Sequence, residues 1–177
     1  FEADVVHGQK TGHFLDQREN RALIGTYAAD CRVLDMFANT GGFSVHAAAG
    51  GAREVVAVDG SESALATATQ NMAHNSIRPE VARCAFRTEV GDAFEVMDRY
   101  VRKGERFEIV VVDPPSFTPR QTSVENALQS YTRLAQRAVR LVRPDGLLLL
   151  ASCSSRVPAD DFYRTVSHAA AQADRPL

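Results

Sequence analysis

No apolar run reaches membrane-spanning length, and no signal-peptide pattern follows Phe1, so no membrane partner is expected. Cysteine is scarce: the three, Cys31, Cys84 and Cys153, are far apart and odd in number. That excludes a disulfide framework and a cysteine zinc site, and it points to a reducing, cytoplasmic location. The five histidines, His7, His13, His46, His74 and His168, show no ligand spacing, so no metal is expected. The formal net charge is only −2, so nothing global advertises nucleic acid, and an RNA substrate would need a local patch or another domain. Repeats and low-complexity segments are absent. What is left is one globular domain of 177 residues, long enough to bury a real core.

The chain is organised around Val33-Leu34-Asp35-Met36-Phe37-Ala38-Asn39-Thr40-Gly41-Gly42-Phe43. A short apolar run ends at an acid, a small-residue loop follows, and a helix-forming stretch closes on Gly50-Gly51. Asp35 then sits at the carboxyl end of a strand, where open parallel sheets bind their ligands. Gly41-Gly42 would let a ligand approach the backbone and the free N–H groups of the next helix. The loop lacks the G-x-G-x-x-G spacing of a dinucleotide site. A ligand with an ammonium group and no phosphates suits Asp35 better, and S-adenosylmethionine is one. An ordinary βα turn with a capping Asn or Thr is the alternative.

Strand and helix alternate throughout. After the first strand at Arg32 come strands at Glu54–Asp59, 82–90, Phe107–Val112 and 147–152, with helices over 61–75, 93–103, 123–142 and 158–172 between and after them. Right-handed crossovers of this length make the sheet doubly wound and mainly parallel. Residues 3–15 read as a β-hairpin and 16–24 as a short helix. The division expected is an N-terminal hairpin and helix (1–28) followed by a Rossmann-like core (29–177).

Four strand tips carry Asp35, Asp59, Asp113 and Cys153, with Asp92 just past the third strand, so all are expected to ring one crevice. Asp59 could accept from two ribose hydroxyls, or cap the helix that starts at Ser61. Asp92, beside Ala93 and Phe94, could take an adenine amino group. In Asp113-Pro114-Pro115-Ser116-Phe117 the prolines fix the backbone as it leaves the sheet. Such a loop suits a flat base held by Asp113 at its edge and stacked on Phe117; a stiff turn with a core phenylalanine is the alternative. Cys153, flanked by Ser152 and Ser154, is either a small core residue or a nucleophile that adds to cytosine C6. Arg133, Arg137, Arg140 and Arg143 recur at helical spacing, as an RNA-phosphate row or, more commonly, a solvated face.

Lys10-Thr11-Gly12-His13-Phe14-Leu15-Asp16-Gln17-Arg18, the Asn39-Thr40-Gly41-Gly42-Phe43 loop, Asp113-Pro114-Pro115-Ser116-Phe117 and Ser152-Cys153-Ser154 resemble, in this order, the motifs of bacterial 23S rRNA 5-methylcytosine methyltransferases. The resemblance implies a class I fold, S-adenosylmethionine as cofactor and ribosomal RNA as substrate. It implies that Phe14, Gln17 and Arg18 close over the cofactor. With them the expected cofactor set is Asp35, Phe37, Asn39, Thr40, Gly41, Asp59, Gly60, Ser61, Asp92, Ala93, Asp113 and Pro115. The catalytic pair implied is Cys153 and Asp113, and the substrate set Pro114, Pro115, Ser116 and Phe117. A purine or exocyclic-nitrogen target, with Cys153 structural, is the alternative chemistry; cofactor binding without turnover is another. Ser116 departs from the family, many of whose members have Lys there. The family's N-terminal PUA-type RNA-binding domain and C-terminal hairpin have no counterpart in these residues. The chain is therefore expected to be a fragment of a longer protein, or to form a homodimer through the apolar strand at 147–151.

Overall fold

Strands that are apolar at consecutive positions must be covered on both faces, and helices provide that cover here. The protein's structure is a computed structural model that describes residues 1–2, 15–117 and 124–173. The expected hairpin, with Phe14, lies outside the described residues. The strands are β1 (Arg32–Met36), β2 (Glu54–Asp59), β3 (Ala85–Val90), β4 (Phe107–Val112) and β5 (Val142–Leu150). They form one parallel sheet in the order β3-β2-β1-β4-β5. The helices are α1 (Arg18–Tyr27), α2 (Gly42–Ala49), α3 (Glu62–Asn75), α4 (Pro79–Arg83), α5 (Ala93–Arg102), α6 (Val124–Leu141) and α7 (Ala159–Gln172), and a 3-10 turn at Leu15–Gln17 leads into α1.

Side chains alternate across the strands, so each face has its own core. Val33, Val55, Ile109 and Val111 pack against Ile24, Phe43 and Ala47 of α1 and α2. Leu34, Met36, Val56, Val58, Val110 and Val112 pack against α5 and α6 through Met97, Tyr100, Leu134 and Leu141. Helix α7 lies on α6, where Phe162 and Val166 meet Tyr131 and Ala135. Asp35 and Asp113 follow the parity of Val33 and Ile109, so both acids face the α1–α2 side.

Two elements differ from the sequence reading. Pro79 does not merely stop α3; it opens the short helix α4, where its missing N–H is no loss, and β3 starts at Ala85 instead of 82. Pro144-Asp145-Gly146 is not the turn before the fifth strand but an irregularity inside it. Phe107 pairs with Val142 and Ile109 with Leu147, and Asp145 takes a φ of 60°. A proline tolerates such a bulge on an edge strand because no ladder bond is asked of it.

α1 and α2 cross with backbone against backbone. A Cβ on Gly50 would overlap the Gly25 carbonyl oxygen, and one on Gly25 would lie 3.1 Å from the His46 carbonyl oxygen. Gly50→Ala is therefore expected to force the helices apart at a cost of about 2–3 kcal/mol. Thermal unfolding should show a Tm lower by several degrees.

Candidate functional site

The loop after β1 owes its shape to three left-handed residues, Phe37 (φ 62°), Asn39 (φ 47°) and Gly41 (φ 77°). A Cβ on Gly41 would come 2.9 Å from the Ala68 Cβ of α3, and one on Gly42 would come 2.6 Å from the Arg21 Nε of α1. The glycines thus let α3 and Arg21 close on the start of α2, in addition to any room they leave for a ligand. Thr40 is buried, and its carbonyl accepts from Asn71 Nδ2 at 2.9 Å.

Asp59 ties the corner together. One carboxylate oxygen accepts the Asn39 N–H and the other the Ser61 N–H, each at 2.9 Å. Asp59 thus organises two loops and braces the capping residue Ser61 without capping α3 itself, and each of its oxygens keeps a lone pair that a hydroxyl could use. Ser61 caps α3 by accepting the Ala64 N–H at 3.2 Å, and the Gly60 Cα faces open space. Asp92, exposed, caps α5 by accepting the Phe94 and Glu95 N–H groups at 2.9 and 3.1 Å, beside buried Ala93.

Asp35 is 1% exposed. Its Oδ2 accepts the Ser44 N–H at 3.0 Å and the Ser44 hydroxyl at 2.6 Å. Oδ1 is buried with no hydrogen-bond partner among the described residues. Burial pushes its pKa up to about 7; the two Ser44 bonds pull it down, the Asp113 charge raises it, and the Arg21 charge lowers it. A buried carboxylate with one oxygen unanswered is costly unless a cation completes it. The corner thus fits a ligand with a positive charge at Asp35 and hydroxyls at Asp59, as an adenosyl methyl donor has.

Arg21, which is not among the residues expected from the sequence, also lies at this corner. It is 6% exposed, lies against Gly42 and has its guanidinium 5.7 Å from the Phe43 ring centroid. Desolvation lowers its pKa, and the charges of Asp113, Asp35 and Asp16 act against that. Gln17, four residues earlier and on the same helical face, donates to Asp113 Oδ1 at 3.4 Å, and Asn20 donates to Gln17 Oε1 at 2.8 Å. Arg18, brought in by the resemblance, points away: its side chain is 81% exposed and pairs with Glu19 on the surface. The helix phase gives Arg21 the buried place.

On the other side of the sheet edge, the tips of β4 and β5 are joined by the Ala151 N–H to Val112 carbonyl bond at 2.9 Å. There the half-buried Cys153 donates its S–H to the Pro114 carbonyl at 3.4 Å, so the thiol and the Asp-Pro-Pro loop share one place. Pro114 is buried, and Pro115 and Ser116 are exposed. Phe117 is not splayed out for stacking; its ring packs edge-on against Tyr131 with centroids 5.1 Å apart. Cys31 and Cys84 are half-buried, and burial raises both thiol pKa values, Cys84 to about 11.

A cavity of about 390 Å³ runs beside the end of β5, walled by Gln17, Asn20, the 149–152 segment and the start of α7. No strand-tip acid lines it. Gln17 lines this cavity and also bonds Asp113, whose charge acts on Asp35, so it links the β5 cavity to the acids over β1 and β4. The arginine row is mostly engaged with protein. Arg133 lies over Phe94 at 4.8 Å, Arg137 makes two bonds to Asp98 at 2.8 and 3.0 Å, and Arg143 pairs with Glu108 at 2.6 Å. Among the described residues no group of three or more His, Cys, Asp or Glu could hold a metal.

A family profile described as S-adenosylmethionine-dependent methyltransferase matches residues 1–173. The ribosomal RNA large subunit methyltransferase I of Tolumonas auensis is 41% identical over 172 residues, 97% of this chain and 42% of that protein. The ribosomal RNA large subunit methyltransferase of Deinococcus radiodurans is 41% identical over 175 residues, 99% of this chain and 42% of that protein. The chain thus spans well under half the length of these relatives. Among solved structures, SMU.776 complexed with SAH superposes with a TM-score of 0.77 at 26% identity, over 92% of this chain and 42% of that one. The SAM-dependent methyltransferase of Agrobacterium tumefaciens shares the fold, with a TM-score of 0.74 at 23% identity over 90% of this chain and 51% of that one.

Proposed function

The chain belongs to the S-adenosylmethionine-dependent methyltransferase family, and from that premise we propose that it methylates C5 of a cytosine in ribosomal RNA, with Cys153 as a covalent nucleophile. The names of the relatives, ribosomal RNA large subunit methyltransferases, support the RNA substrate. The cytosine reading is carried by one observation: the Cys153 thiol at the tip of β5 lies 3.4 Å from the carbonyl of Pro114, next to Asp113.

S-adenosylmethionine supplies an electrophilic methyl group when bound. Asp35 would hold its ammonium, Asp59 its ribose hydroxyls and Asp92 its adenine amino group. Cytosine C5 is too weak a nucleophile to take a methyl group directly. Addition of the Cys153 thiolate to C6 makes C5 enamine-like, and after methylation C5 gives its proton to a base while the C6–S bond breaks and returns the thiolate. Asp113, held by Gln17, bonds the edge of the cytosine, and the paired prolines keep the loop rigid. Phe117, turned to Tyr131, supports the loop from behind.

Release of the C5 hydrogen is the signature of this route. RNA carrying tritium at cytosine C5, incubated with the full chain and S-adenosylmethionine, should release one tritium per methyl transferred and yield 5-methylcytidine on digestion. Methyl transfer with tritium retained, or a digest showing N4-methylcytidine or a methylated purine, overturns the reading.

A further inference from the structure

The phenol of Tyr131 takes no part in the chemistry above, yet both serines that flank Cys153 converge on it. Tyr131 is 0% exposed, and its hydroxyl lies 2.8 Å from Ser152 Oγ and 3.0 Å from Ser154 Oγ. Ser154, itself buried, lies 3.2 Å from Ser116 Oγ and accepts the Phe117 N–H at 3.3 Å. One buried hydroxyl therefore joins the turn that carries the thiol to the loop that carries Pro114. The ring is fixed by other means, edge-on to Phe117 at 5.1 Å and to Phe162 at 5.0 Å. Packing and hydrogen bonding can thus be separated by removing one oxygen.

We propose that Tyr131 is a positioning residue that holds the Cys153 thiol against the Asp-Pro-Pro loop through Ser152 and Ser154. Its catalytic consequence rests on the reading of Cys153 as nucleophile. The three residues 152–154 leave the sheet, where ladder bonds no longer fix them, and the Tyr131 hydroxyl supplies the missing restraint from α6. Buried hydroxyls are retained where they are bonded, and an aromatic needed only to fill this space could be phenylalanine. A reacting atom displaced by about 1 Å loses on the order of a hundredfold in rate.

The test is Tyr131→Phe in the full chain, read three ways. Alkylation by iodoacetamide, followed at each cysteine by peptide mass analysis across pH, should change at Cys153 by about threefold or more and stay constant at Cys31 and Cys84. In methyl transfer kcat should fall roughly tenfold or more, with KM for S-adenosylmethionine and its calorimetric Kd unchanged. The Ser152→Ala/Ser154→Ala double variant, which also removes the Ser154 bonds to Ser116 and Phe117, should show at least that loss of kcat, and adding Tyr131→Phe to it should cost nothing more. An unchanged Cys153 alkylation profile in Tyr131→Phe, or losses that simply add, overturns the proposal. A Cys153→Ala variant that still turns over would remove the nucleophile reading, while the alkylation rates would still decide the positioning.

Discussion

Cys153→Ala is expected to abolish methyl transfer, by a factor on the order of 10⁴ or more, while S-adenosylmethionine binds within about twofold of the parent. The two halves of the result come from separate parts of the site. The thiol lies against Pro114 at the end of β5, whereas the acids proposed for the cofactor, Asp35 and Asp59, lie at the ends of β1 and β2. Losing a half-buried sulfur and one long S–H bond costs the fold about 1 kcal/mol at most, so the variant should be folded. Calorimetry with S-adenosylmethionine and a single-turnover assay on the same preparation check both halves. Turnover within tenfold of the parent would falsify the covalent route and leave direct attack by a nitrogen as the chemistry. Cys153→Ser should be nearly as inactive, because a serine hydroxyl, unlike a thiol, has no useful ionised fraction near neutrality.

The parts of this site that were legible in the sequence are those whose signal is local. Strands β2 and β4 could be bounded to the residue because each apolar run ends on an acid, Asp59 or Asp113, and the sheet's polarity then carried those acids to one edge. Arg21 was not legible because it and Arg18 are equal candidates until the phase of α1 is known. That phase is set by packing Ile24 into the face of the sheet that holds Val33 and Ile109. Tyr131 was illegible for another reason. In sequence it is one apolar position of an amphipathic helix, and its partners Ser152 and Ser154 stand 21 and 23 residues away on another element. In sequence Gly41 and Gly42 signal only room for a ligand, because their neighbours Ala68 and Arg21 come from two other helices. Helix α4 and the β5 irregularity turn on prolines whose local meaning, stop or turn, was overridden by what the flanking residues pair with.

Asp35→Asn is expected to raise the stability of the protein without cofactor at pH 8 and to weaken S-adenosylmethionine binding at that pH by about thirtyfold, the worth of a charge-assisted bond of roughly 2 kcal/mol. The sign follows from the direction of the shift. Asp35 in the fold titrates near 7, raised chiefly by burial, so the folded chain holds a proton there that the unfolded chain has already lost. Its contribution to stability is therefore full below the ordinary carboxylate range and is lost as pH rises through 7, a loss on the order of 4 kcal/mol. Asparagine can still accept from Ser44 and carries no charge, so the thermal stability of the variant should be nearly flat with respect to this group between pH 5 and 8. Cofactor affinity runs the other way in the parent: an ammonium needs the ionised form, so binding should strengthen from pH 6 to 8 with release of a proton, and the variant should lack that dependence. Calorimetry in buffers of different ionisation enthalpy reads the proton directly. A purely structural acid would give the opposite stability result, with Asp35→Asn unfolding at a lower temperature than the parent at pH 8. What Oδ1, unpartnered among the described residues, withholds from the fold at neutral pH is then what it has available for a cation, and the charge of Arg21 limits how far that reserve is neutralised by a proton before the ligand arrives.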